Sequence, residues 1–171
     1  MYIHTYIHVY THTQRERERE RHTHSLSLSL THTHTHSLTH SLSHTHSAEN
    51  GGSLAVVDGA QATLIDSTFT HCSAGTFGGA CFISRASSCV VHNTHFSFND
   101  AVTKGGSIFC GDGSALNISA SLISNSSAPR GGGAMVQMSS TARISHGSTF
   151  VGNEAGAWEA ECIYCWILGR K

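Results

Sequence analysis

Asp58, Arg85 and Asp112 stand 27 residues apart, and they are the residues whose types and spacing come closest to acid–base chemistry. If a repeat of that length stacks, the two carboxylates lie two rungs apart, roughly 9–10 Å. That is near the upper end of the separation at which inverting glycosidases hold a water between acid and base. A guanidinium between them favours both ionised carboxylates, which suits a minus-plus-minus ladder at a turn better than a general acid. His71, His92, His95 and His146 fall in no common column and form no triad spacing. The six cysteines are Cys72, Cys81, Cys89, Cys110, Cys162 and Cys165. Cys162-x-x-Cys165 is half of a zinc-site spacing with no second half, so the cysteines read as buried thiols. The sequence thus assigns no catalytic, cofactor-binding or metal-ligating residue, and no cofactor. Two sequons, Asn117-Ile118-Ser119 and Asn125-Ser126-Ser127, are modification chemistry.

The elements that position these residues come from a repeat. Glycine pairs at Gly51-Gly52, Gly78-Gly79, Gly105-Gly106 and Gly132-Gly133 recur every 27 residues. Each opens a strand-like run whose inward residues begin with Leu54, Cys81, Ile108 and Met135. A large apolar residue follows at Phe69, Phe96 and Phe150, with Leu122 one position early in the third copy. Cys72, Asn99, Asn125 and Asn153 come next and are expected to point inward at a corner. Ala74, Ala101, Ala128 and Ala155 follow soon after. The unit reads G-G-[SA]-x15-F-x2-N-x-A, and a period of this length without helical spacing points to a β-solenoid. Leu54 and Val56 should face in, Ala55 and Val57 out, with Leu64, Val91, Ile118 and Ile144 inward on a second strand. Asn117 should face solvent and is the better glycan acceptor, since Asn125 is expected inside.

The motifs Gly78-Gly79-Ala80-Cys81 and Phe96-Ser97-Phe98-Asn99, with their three sister copies, resemble the G-G-A-I and F-x-x-N repeats of the chlamydial polymorphic outer membrane proteins. The resemblance covers residues 51–155. It implies an all-β chain: a right-handed parallel β-helix of about four coils, pectin-lyase-like, used as an extracellular or cell-surface adhesin passenger. A surface glycan or a protein is the partner such a role implies.

Residues 1–47 are different. They alternate in dipeptides: Tyr-Ile, His-Thr, Arg-Glu, Ser-Leu and Thr-His. Dinucleotide repeats in DNA encode such alternations, so this segment reads as translated repeat DNA. Eleven of the fifteen histidines lie here. Thr-His alternation leaves no apolar stripe to offset ordering entropy, so disorder is expected. Domain organisation is then 1–47 low complexity, 48–158 repeats, and 159–171 a truncated fifth coil or tail. A net charge of −1 gives no general attraction for nucleic acid. No apolar run reaches membrane-spanning length, and no signal peptide is visible. These features favour a non-enzymatic β-helical scaffold from a larger adhesin-like protein, able to self-associate through uncapped coils. The alternatives are a fragment of a carbohydrate-active β-helix enzyme or a non-functional gene-model product.

Overall fold

The computed structural model describes residues 28–31, 35–38, 41–42, 47–145 and 147–156. The expectations for residues 1–27, His146, Cys162, Cys165 and the fifth coil lie outside them. The first strands are β1 (Leu28–Thr31), β2 (Thr35–Leu38), β3 (Ser41–Leu42) and β4 (Ser47–Asn50). The first full coil has β5 (Leu54–Val57), β6 (Gln61–Ile65), β7 (Thr68–Thr70) and β8 (Ser73–Phe77). The second has β9 (Cys81–Ile83), β10 (Ser88–His92), β11 (His95–Ser97) and β12 (Asp100–Ala101). The third has β13 (Ile108–Cys110), β14 (Ala115–Ser119), β15 (Leu122–Ser124) and β16 (Ser127–Ala128). The fourth has β17 (Ala134–Val136), β18 (Thr141–Ser145), β19 (Thr149–Val151) and β20 (Glu154–Ala155).

Each strand pairs in parallel with its counterpart one coil away, giving four sheets of five strands. This is a parallel β-solenoid of four repeat coils with one further set of strands against the first. Those strands, β1 to β3, fall in the segment expected to lack order. An open sheet edge offers unpaired N–H and C=O groups, and the Ser-Leu tract has the two-residue period of a strand. Leu28, Leu30, Leu38 and Leu42 take the register positions of Leu54, Val56, Leu64 and Phe69. The expectation of disorder covers residues 1–47 as a whole; strands stand at β1, β2 and β3 within it, β2 opening with Thr35-His36, and the other residues of 1–46 lie outside the described ones.

Burial alternates as expected along β5, β6, β7, β9, β10 and β14, while Ile144 on β18 is only partly buried. Leu54, Val56, Leu64, Val91, Ile83 and Ile118 are all buried. Phe69 and Phe96 stack inside with ring centroids 4.9 Å apart and planes 7° from parallel. Three column assignments change. Ile123, not Leu122, pairs with Phe96 and Phe150 and is fully buried. The third copy therefore has no early residue to explain. Gly105 and Gly106 donate to Arg130 and Gly131, so Gly131-Gly132 is the equivalent glycine pair and Gly133 takes the serine position. Ala134, not Met135, continues the Leu54–Cys81–Ile108 column, and Met135 pairs with Phe109 on the outer face. The cause is a length change: Pro129 spans what Val102-Thr103 span one coil earlier, and an extra residue at 146–147 restores the phase.

The fourth column also changes. Cys72 N–H donates to Asn99 Oδ1 (2.9 Å), Asn99 N–H to Ser126 Oγ (3.2 Å), and Ser126 N–H to Asn153 Oδ1 (3.0 Å). The inward residue is Ser126. Asn125 is exposed with φ 49°, because the residue before each inward polar group turns the corner in the left-handed region. The same device serves the other corners. Ser87, Ser114 and Ser140 form one ladder, and Thr94, Ser121 and Ser148 another, in which serine hydroxyls accept backbone N–H groups from the preceding coil. These groups bridge where strand ladders stop, as buried backbone requires.

Asn99 also donates from Nδ2 to Phe69 O (3.2 Å) and Ser107 Oγ (3.1 Å). Asn99→Leu keeps the volume and leaves the buried Cys72 N–H without its acceptor, at about 1–3 kcal/mol. Asn117→Leu, on the exposed middle of β14, should change stability in urea by under about 0.5 kcal/mol. Equal losses in the two melts would refute the inward polar column.

Candidate binding surface

The charged corner is built as the repeat requires. Asp58-Gly59, Arg85-Ala86, Asp112-Gly113 and Met138-Ser139 each place two successive residues at positive φ, so the first of each pair forms an outward column. Arg85 Nη1 lies 3.1 Å from Asp58 Oδ1, with the two side chains 67% and 39% exposed. An exposed pair of this kind contributes little to stability. Asp112 is held separately, accepting from the Ser84 hydroxyl. The three residues share a column as the spacing predicted, and Arg85 bonds to one aspartate while serine takes the other.

The histidines separate. His71 accompanies Phe98 at one corner, their rings stacked with centroids 5.3 Å apart. His92 lies on β10, its Nδ1 3.0 Å from Ser119 Oγ. His95 lies on β11, its Nε2 3.4 Å from Ser124 Oγ. Each of the three is tied to the next coil or to a neighbour by its own contacts. Among the described residues no group of three His, Cys, Asp or Glu side chains could hold a metal ion.

Among the described residues, two shallow depressions lie on the outer surface. One, of about 340 Å³, is lined by Asp66, Thr68, Asn93, His95 and Leu122, with Asn93 Nδ2 donating to Asp66 Oδ1 at 2.6 Å. The other, of about 430 Å³, lies among Asp100, Val102, Pro129 and Glu154. An aromatic cluster covers the outside of the first sheet. Phe77 packs on Phe109 at 4.8 Å between centroids, and Phe82 on Phe109 at 5.4 Å. Lys104 Nζ donates to Gln137 Oε1 (2.7 Å) and stands 5.9 Å from the Phe77 ring centre. Sequence reasoning missed this cluster. Its signal was the phenylalanine pair Phe82 and Phe109, one repeat apart on outward positions. Phe109 is only 2% exposed, so its ring belongs to a small outer core.

Cys72, Cys81, Cys89 and Cys110 are free and buried, as expected of them. Burial pushes the Cys72 thiol up, against a lowering hydrogen bond from Ser53 and with a further rise from the charge of Asp100. Cys81 is raised well above its ordinary value by its contact with the Cys89 thiol and by burial. Burial pushes Cys110 up to about 12, although its contact with Ser140 lowers it. These acids stay protonated in the folded chain while an unfolded thiol, with an ordinary value of 9.0, ionises. The unfolded state then binds fewer protons, so stability is intact below about pH 9 and falls as pH rises toward 12. Urea midpoints should fall between about pH 8 and about pH 10.5, and less steeply in Cys110→Ala. A wild-type slope unchanged in that variant would contradict the assignment.

No family model, no curated protein and no solved structure matches the chain.

Proposed function

We propose that this chain is a non-enzymatic β-helical scaffold, part of a cell-surface or secreted binding protein. The observation that carries the reading is the contrast between its two sides. The inward column of the second sheet keeps its chemistry from coil to coil: Leu64, Val91, Ile118 and Ile144 are all aliphatic. Two outward columns change at every step. One runs Thr63, Val90, Asn117 and Arg143; another runs Thr68, His95, Leu122 and Thr149. A solenoid whose interior is fixed and whose outer rows are free can present a broad contact surface, as repeat architectures do. The repeat motifs support an adhesin role with a surface glycan or protein as partner. No helix among the described residues is long and apolar enough to cross a membrane.

The carbohydrate-active reading rests on the column Asp58, Arg85 and Asp112. It is tested by incubating the full chain with polygalacturonate and following new reducing ends and unsaturated products. The scaffold reading expects no release above the protein-free rate. Release that Asp58→Asn or Asp112→Asn abolishes would replace it with the enzyme.

A further inference from the structure

The corner formed by His71, Phe98, Asn125 and Gly152 combines a sequon with an exposed aromatic ring. All four residues have positive φ, between 49° and 64°. That conformation is ordinary for asparagine and glycine and uncommon for a bulky residue. Phe98 nevertheless stands there 53% exposed, resting one side of its ring on His71. Its backbone N–H donates to Ser124 O, and Asn125 N–H donates to Val151 O, so Phe98, Asn125 and Gly152 are successive steps of one outward column. Neighbouring steps are about 4.8 Å apart. A Cβ on Gly152 would overlap Asn125 Oδ1, so the asparagine amide lies over the space that this glycine leaves open.

We propose that Asn125 is an N-glycan acceptor, with the first sugar lying along this corner over Phe98. The proposal rests on the secreted or surface reading above. Asn125 is exposed at the corner, Ser126 points inward, and Ser127 emerges exposed on the outer side again. The sequon asparagine and its hydroxyl residue therefore share one open surface. The second sequon is built otherwise. Asn117 sits in mid-strand between Val90 and Arg143 of the adjoining coils, and the Ser119 hydroxyl contacts His92 Nδ1 and Val91 O. In the transfer, Asn125 Nδ2 forms a bond to C1 of a lipid-diphosphate-linked oligosaccharide. The C1–O bond to the diphosphate breaks, the lipid diphosphate leaves with that electron pair, and one amide proton passes to a base of the transferase. The first N-acetylglucosamine then has an apolar face to set against the Phe98 ring.

The test places the full chain behind a cleavable secretory leader and translates it with microsomes. Because the leader supplies entry, a failed result counts against the acceptor and leaves the scaffold reading standing. The expected result is an endoglycosidase-sensitive mass increment that Asn125→Gln and Ser127→Ala each remove and Asn117→Gln retains. Absence of any increment, or an increment unchanged by both Asn125→Gln and Ser127→Ala, overturns the proposal. Trimming the glycan to one N-acetylglucosamine should leave Tm above that of Asn125→Gln, and this gain should disappear when Phe98→Ala is added. A gain of the same size without the ring would show that the sugar does not cover it.

Discussion

Gly79→Ala should destabilise the chain by about 3 kcal/mol, comparable to a core truncation, although it adds a single methyl group. Gly79 has an unexceptional φ, so left-handed strain is not the cause. The cause is close approach. A Cβ there would overlap the carbonyl oxygen of Gly106 on the next coil and stand 2.5 Å from the carbonyl oxygen of Asp100 on the facing strand. Both obstacles are backbone, which cannot swing aside. Gly52, Gly106 and Gly132 meet the same wall, at Ser73, Ser127 and Glu154. The second glycine of each pair is therefore where the fourth sheet lies directly against the corner. Gly113→Ala is the control. It has φ 72° and open space within 4 Å of where an alanine methyl would stand, so only the left-handed penalty remains, about 1–2 kcal/mol. Urea unfolding of the two variants should separate them clearly. Equal losses would mean that conformational freedom alone explains the glycine pairs.

Phe96→Ala should cost about 3–5 kcal/mol. Its ring is fully buried, stacked on Phe69 in the coil below, and its strand partner in the coil above is Ile123. Truncation opens a cavity between two coils that are held in place by their own hydrogen-bond ladders, so the void cannot collapse cheaply. Loss of the ring pair adds to the transfer term. Thr103→Ala, half-buried in the loop before Gly105, should cost under about 0.5 kcal/mol. Chemical denaturation of both variants, compared with wild type, checks the ranking, and a Thr103 loss equal to that of Phe96 would show that the inward columns are misassigned.

Much of this architecture is legible in the residues. The recurrence of glycine pairs, phenylalanines and inward aliphatics defines the coil and the faces of its strands, because side-chain direction in a strand has a period of two. What is not legible is equally specific. A single-residue deletion at Pro129, compensated at 146–147, moves Gly131, Ala134 and Met135 by one position within an apparently unbroken 27-residue count. Three adjacent glycines allow either pairing, and only the backbone bonds decide between them. At the fourth corner, asparagine matches asparagine and draws the alignment to Asn125. Serine can accept the same backbone N–H, and Ser126 does so. The serine ladders at the other two corners are hidden for the same reason. Ser and Thr are common on outward faces, and their 27-residue spacing stands out only once the corners are known. The charged column is visible in the spacing, but which aspartate Arg85 takes depends on side-chain reach, and the second aspartate finds Ser84 instead.

The central claim is that successive coils pair in parallel, each residue beside its counterpart about one repeat away. Nuclear Overhauser contacts across the second sheet test it most directly. The backbone protons of Val90 and Val91 should show contacts to Thr63 and Leu64 on one side and to Asn117 and Ile118 on the other. Short Hα–Hα contacts between neighbouring strands, which the close non-hydrogen-bonded pairs of antiparallel sheets produce, or contacts shifted by one residue along β10, would contradict the solenoid and every column built on it.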